Sequence, residues 1–157
     1  MKRLTTFFLA WIIAFTMPTL SFAMDHEKMM AGMGNVAHEE VVEGVKATFK
    51  IIGMKERMKE MNMEMPKGTK ETHHIMVEFK DVKSGKALAE GEVKIKTQGP
   101  DKAEQVKDLP AMSGMAGMGA HFGADFVLPK KGKYGIMAKF KLKDGKTRSA
   151  KFWYEVK

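Results

Sequence analysis

Between Met112 and His121 the chain reads Met-Ser-Gly-Met-Ala-Gly-Met-Gly-Ala-His, which spaces Met112, Met115, Met118 and His121 three residues apart in a segment of small residues. A thioether is neutral, soft and polarizable and coordinates without losing a proton, so among biological metals it favours Cu(I). An imidazole closing the series also suits Cu(II), zinc or iron. The intervening glycines leave the backbone free to wrap, because glycine reaches dihedrals closed to other residues. Methionine also fills apolar gaps in ordinary cores. Such fillers follow the period of a strand or a helix, and this stretch is too rich in glycine for either.

A second group lies upstream, where Thr72-His73-His74-Ile75-Met76-Val77-Glu78-Phe79 alternates. Ile75, Val77 and Phe79 are expected to face a core, with His74, Met76 and Glu78 on the opposite face and His73 at the inward-pointing start of the strand. His73, His74 and Met76 therefore join the glycine-rich segment as candidate metal ligands, and the pattern leaves open which of the two histidines serves. Met61, Met63 and Met65 are secondary candidates. An extended Met61-Asn62-Met63-Glu64-Met65 would carry three thioethers on one face, whereas a helix between Gly53 and Pro66 would gather Met54, Met58, Met61 and Met65 into one stripe.

The elements that must hold these groups read mostly as strands. Val45, Ala47, Phe49 and Ile51 alternate with Lys46, Thr48 and Lys50; Val93 and Ile95 mark another strand, Ala103 to Leu109 a short one, and Phe122 to Leu128 the next. Tyr134, Ile136, Ala138, Phe140 and Leu142 share one face of a long strand, Asp144-Gly145 turns the chain, and Ala150, Phe152, Tyr154 and Val156 line the last strand with Trp153 opposite. About seven short strands, separated by turn signals every ten or so residues, predict an all-β fold. The expected architecture is an antiparallel β-sandwich, immunoglobulin-like or cupredoxin-like, with one short Met-rich helical or loop segment. Gly132-Lys133-Tyr134 is placed to form a tyrosine corner.

Composition narrows the function. Residues 1–23 read as a signal peptide: Lys2 and Arg3, an apolar run from Leu4 to Met17, Pro18, then Ser21-Phe22-Ala23 with small residues where a signal peptidase cuts. Residues 24–43, with Met24, Met29, Met30, Met33, His26 and His38, read as a mobile tail with solvated histidines, and residues 44–157 as the sandwich domain. Fourteen of the 16 methionines lie beyond the leader. The chain has no cysteine, which excludes disulfides and thiolate metal sites and disfavours blue-copper electron transfer. Its net charge of +8 comes largely from lysines alternating with apolar residues, as at Lys139, Lys141 and Lys143, the pattern of a solvated sheet face. Only Arg57 and Arg148 remain beyond the leader, which argues against a nucleic-acid partner.

The stretches Thr72-His73-His74-Ile75-Met76-Val77, Gly119-Ala120-His121-Phe122-Gly123-Ala124-Asp125 and Leu128-Pro129-Lys130-Lys131-Gly132-Lys133-Tyr134 resemble small exported bacterial proteins with a Met/His-rich β-sandwich. These are the YtkA-like domains and, more distantly, periplasmic iron and copper uptake proteins. The resemblance covers roughly Val45 to Val156 and implies an immunoglobulin-like sandwich, a periplasmic location and copper handling. By position, His73, His74, Met76 and His121 match the histidine and methionine positions of that pattern, and Met112, Met115 and Met118 its methionine loop. The chain lacks the uptake proteins' acidic residue in a recognisable context, which argues against iron transport.

The expected function is that of a periplasmic copper-binding protein that holds or transfers Cu(I), with Cu(II) possible, exchanging the ion with a copper donor or acceptor protein. Two other readings use the same methionines: an adaptable contact surface of an interaction module, or an oxidant sink whose sulfoxides reductases restore. No Ser/His/Asp order, carboxylate pair, phosphate loop or His-x-x-x-His helix points to an enzyme.

Overall fold

The computed structural model describes residues 36–60, 62–113 and 119–157. In chain order they form β1 (Val36–Val42), β2 (Val45–Gly53), α1 (Met54–Glu60), β3 (His73–Asp81), β4 (Gly91–Gln98), β5 (Glu104–Leu109), β6 (Ala111–Met112), β7 (His121–Phe126), β8 (Gly132–Leu142) and β9 (Thr147–Val156). The strands pair in the orders β1-β2-β3-β7-β6 and β5-β4-β8-β9, every ladder antiparallel. With β1 set aside, β2 to β9 taken as A, B, C, C′, D, E, F and G give A-B-E-D in one sheet and C′-C-F-G in the other. That is the immunoglobulin-like order, one of the two topologies the sequence left open.

The two inner faces close on a core built from alternate residues of the strands. Phe49, Phe79, Phe122, Phe126 and Phe140 are fully buried there with Ile75, Ile95 and Ile136. The rings interlock: Phe79 lies 4.5 Å from Phe140 and meets Phe122 edge-on at 5.7 Å, centroid to centroid. Each buried aromatic or branched side chain contributes about 1.5–3 kcal/mol of transfer free energy. At the start of β8, Tyr134 is buried and its hydroxyl accepts the Lys130 backbone N–H at 3.1 Å, so the expected tyrosine corner forms. The outer face of the four-stranded sheet is wet, and Trp153 is its large exposed aromatic, 64% accessible, lying across Gly135 on β8.

Two departures from the sequence reading have local causes. The sandwich begins at Val36, inside the segment expected as a tail. Glu43 and Gly44 both take positive φ (47° and 78°), which makes the two-residue turn that returns β1 onto β2 with Val42 opposite Val45. His38, expected to be solvated, stacks on Phe152 of the other sheet at 4.6 Å and 13°, so an imidazole does the work of an apolar residue in closing that edge. The second concerns the segment between Gly53 and Pro66, left open between a helix and an extended chain: a helix forms but stops at Glu60. Asn62 adopts φ 55°, the Asn62 N–H bonds Lys59 C=O at 3.2 Å, and the Met63 N–H reaches Met58 C=O at 2.8 Å. This pair of bonds is a Schellman ending, for which asparagine is one of the few tolerated residues.

Burial along β2 and β3 carries the first hint of a site. A strand with one wet face should alternate, yet Phe49 to Ile52 are buried without interruption, as are His74 to Phe79. The outer face of the five-stranded sheet is covered where these strands run side by side.

Candidate metal centre

Antiparallel register decides which side chains share that covered face. Ile75, Val77 and Phe79 of β3 and Phe122 and Phe126 of β7 belong to the inter-sheet core, so His74, Met76 and Glu78, together with His121, Gly123 and Asp125, point outward. Asp125 is paired with His74 and Gly123 with Met76. One step beyond the last of these pairs, Val77 with Phe122, the same register sets Glu78 across from His121. Met112 of β6 is the partner of His121, and Lys50 and Ile52 of β2 are the partners of Met76 and His74. Directly opposed side chains in such ladders have Cβ atoms about 4.5–5.5 Å apart. His74, Met76 and His121 are 2–4% accessible, and Met112 is half-buried.

Hydrogen bonding fixes which nitrogen each imidazole offers. His74 Nδ1 lies 2.5 Å from Asp125 Oδ1, and a carboxylate only accepts, so Nδ1 carries the proton and Nε2 the lone pair. That Nε2 is buried and has no hydrogen-bond partner among the described residues. Burial pushes the His74 pKa down, the Asp125 hydrogen bond opposes this, and Arg57 on α1 lowers it again, as does His121. The result is a neutral imidazole with a free lone pair. His121 Nδ1 likewise donates to the Gly119 carbonyl at 3.0 Å, which leaves Nε2 as the nitrogen it can offer to a metal. A carboxylate or carbonyl holding the far nitrogen is the usual way a protein orients a metal-binding histidine.

The space beside His74 Nε2 depends on a missing side chain. A Cβ built on Gly123 would lie 2.8 Å from Nε2 and 3.1 Å from Cε1. Gly123 therefore lets His74 lie over β7 toward Met76 and His121. An orphaned, deprotonated imidazole nitrogen in a dry place, over the glycine that pairs with Met76, has the donor chemistry a soft cation requires. Among the described residues no three His, Cys, Asp or Glu side chains cluster as a metal-binding group, so a site here depends on thioethers as well as imidazoles.

His73, the other histidine of the pair, lies on the opposite face from His74: its ring meets Tyr154 of β9 edge-on at 6.2 Å, and its Nδ1 is 2.8 Å from Thr72 Oγ1. Thr72 Oγ1 also accepts the Leu128 N–H at 2.7 Å, so this imidazole is engaged in closing the sandwich. Burial lowers the His73 pKa as well, opposed by Glu56. Met63 is 54% exposed and Met65 half-buried in the chain between α1 and β3. Met61, Met115 and Met118 lie outside the described residues. Sequence reasoning missed Asp125, Gly123 and Lys50. It also found no acidic residue in a recognisable context, although its own alternation already put Glu78 on the face of His74 and Met76.

No protein-family model matches the chain, and no curated protein matches it. Solved structures do. The chain is similar to FetP of uropathogenic Escherichia coli, as isolated after expression in the E. coli periplasm, at 12% identity and TM-score 0.59, over 77% of this chain and 93% of that one. A copper-bound variant of the same FetP aligns equally well, at 12% identity and TM-score 0.59, over 78% and 95%. A DUF4426 family protein from Pseudomonas aeruginosa aligns at 13% identity and TM-score 0.59, over 76% and 96%. The likeness is one of fold.

Proposed function

We propose that this chain is a periplasmic copper-binding protein that holds or transfers Cu(I), and Cu(II) to a lesser degree, through His74, Met76, His121 and Met112. The observation that carries the reading is the buried, unpartnered Nε2 of His74, oriented by Asp125 over the bare backbone of Gly123. Support comes from His121, whose ring belongs to the same face, and from the two flanking methionines, which supply neutral soft sulfur. Met115 and Met118, next along the chain from Met112, are further sulfur donors on this reading. His73 is left out because its ring packs toward Tyr154 on the other side of the strand. The existence of a copper-bound solved structure with this fold agrees with the proposal. The apolar leader and the absence, among the described residues, of any helix long and apolar enough to cross a membrane agree with export.

Cu(I) titration under reducing conditions, in competition with a chromophoric chelator, is the direct test. The wild type should retain one Cu(I) per chain, and His74→Ala and Met76→Leu should each weaken retention about 10–100-fold. Unchanged retention in both variants would remove the assignment.

A further inference from the structure

One pair on the same face has no part in that ligand set. Lys50 of β2 and Glu78 of β3 are 7% and 8% accessible, and Lys50 Nζ donates to Glu78 Oε1 at 3.2 Å. Lys50 is the register partner of Met76, and Glu78 stands two residues beyond Met76, across from His121. A carboxylate thus borders the sulfur and imidazole donors and is held by an ammonium rather than left open. We propose that Lys50 acts as a lock on Glu78, keeping this carboxylate at the border of the donor face away from the metal and so favouring a soft monovalent cation over dications. The inference rests on the copper reading above and adds to it the device that sets which ion is accepted.

The physical argument is one of charge. His74, Met76, His121 and Met112 are all neutral donors. Among the described residues the charged groups around them are Lys50 and Glu78, which cancel, and Asp125 and Arg57, the first bonded to His74 and the second near enough to disfavour its protonation. Lys107, which donates to the Asp125 backbone carbonyl at 2.6 Å, lies 4.0 Å from Glu71, so these groups together sum to no net charge. Burying an uncompensated ion costs Born energy that grows as the square of its charge, so a dication pays about four times what Cu(I) does. Hard dications also seek oxygen donors, and Lys50 holds the Glu78 carboxylate through its Oε1. Lysine suits the task because its compact ammonium caps a carboxylate without presenting a lone pair to the ion.

Lys50→Met releases the carboxylate, and Lys50→Met with Glu78→Gln removes both charges at nearly constant volume. Affinities for Cu(I), Zn(II) and Mn(II) are measured for both variants and for the wild type, with circular dichroism as the check on folding. Lys50→Met should bind Zn(II) and Mn(II) at least about tenfold more tightly than the wild type. The double variant should lose that gain while retaining Cu(I) as the wild type does. A folded Lys50→Met with no gain for either dication overturns the lock, as does a gain that survives in the double variant. Loss of Cu(I) from the double variant also overturns it, since Glu78 would then be a ligand already; this arm decides the matter even where Lys50→Met alone fails to fold. A wild type that retains no Cu(I) defeats the copper reading and the lock together, whereas retained Cu(I) with unchanged selectivity defeats the lock alone.

Discussion

An alanine at position 123 would place its Cβ 2.8 Å from His74 Nε2, inside the contact distance of carbon and nitrogen. The backbone there is ordinary strand, paired with Met76, so a methyl group meets its obstacle in the side chain of His74 rather than in its own dihedrals. Gly123→Ala should therefore fold, swing the imidazole aside and weaken Cu(I) binding at least about tenfold, read by chelator competition beside a thermal melt. Full affinity in a folded Gly123→Ala would mean that His74 Nε2 is not the donor. At this scale the sequence was partly legible. Alternation assigned His74, Met76 and Glu78 to one face and the structure agrees, because a period of two is a property of the strand alone. Lys50, Gly123 and Asp125 were hidden, because their relation to His74 is set by register between strands far apart in sequence, which no periodicity within a strand encodes.

Among the elements, those with a clean alternation were readable: β2, β3, β4, β5, β8 and β9 fall within a few residues of where the pattern puts them. β1 was not, because its buried contacts are made by a histidine ring and by partial burial at a sheet edge, neither of which looks apolar in sequence. The choice between helix and extended chain before Pro66 was not legible for a related reason: the stripe of methionines continues past Glu60, but Asn62 in the left-handed region ends the helix even though helix-forming residues lie beyond it. The start of β8 was legible as a tyrosine corner and gives a prediction of its own. Tyr134→Phe removes the acceptor for the Lys130 N–H, which should lower unfolding stability by about 1 kcal/mol in urea melts and leave metal binding untouched. A larger loss would place Tyr134 in the packing rather than in the corner.

For the molecule as a whole, one end of the sandwich is closed by charge. The Arg148 guanidinium is buried; it donates to both carboxylate oxygens of Asp144 in its own hairpin, at 3.1 and 2.5 Å, and stands 3.7 Å from Glu43 in the β1–β2 turn of the other sheet. The Arg148 hydrogen bond holds the Asp144 pKa down at about 2. A carboxyl depressed in the folded state binds its proton more readily in the unfolded one, so its contribution is complete above about pH 4, the ordinary aspartate range. It is then lost as pH falls through about 2. Urea midpoints measured between pH 2 and 5 should fall with acidification more steeply in the wild type than in Asp144→Asn, the two curves converging at the acid end. Parallel curves would show that Asp144 takes no part in acid stability.

The placement of Trp153 has a practical outcome for anyone tracking the ion by light. If residues 1–23 are removed on export, as the sequence predicts, Trp153 is the single remaining indole, and it stands in water on the outside of the four-stranded sheet, while the Met/His face lies on the outside of the five-stranded one. Two stacked sheets, separated by about 10 Å backbone to backbone, keep the fluorophore apart from any cation held at His74. Its emission should be red-shifted and steady during a titration, an internal gauge of protein concentration, and quenching on addition of copper would betray ions gathered on the lysine-rich side.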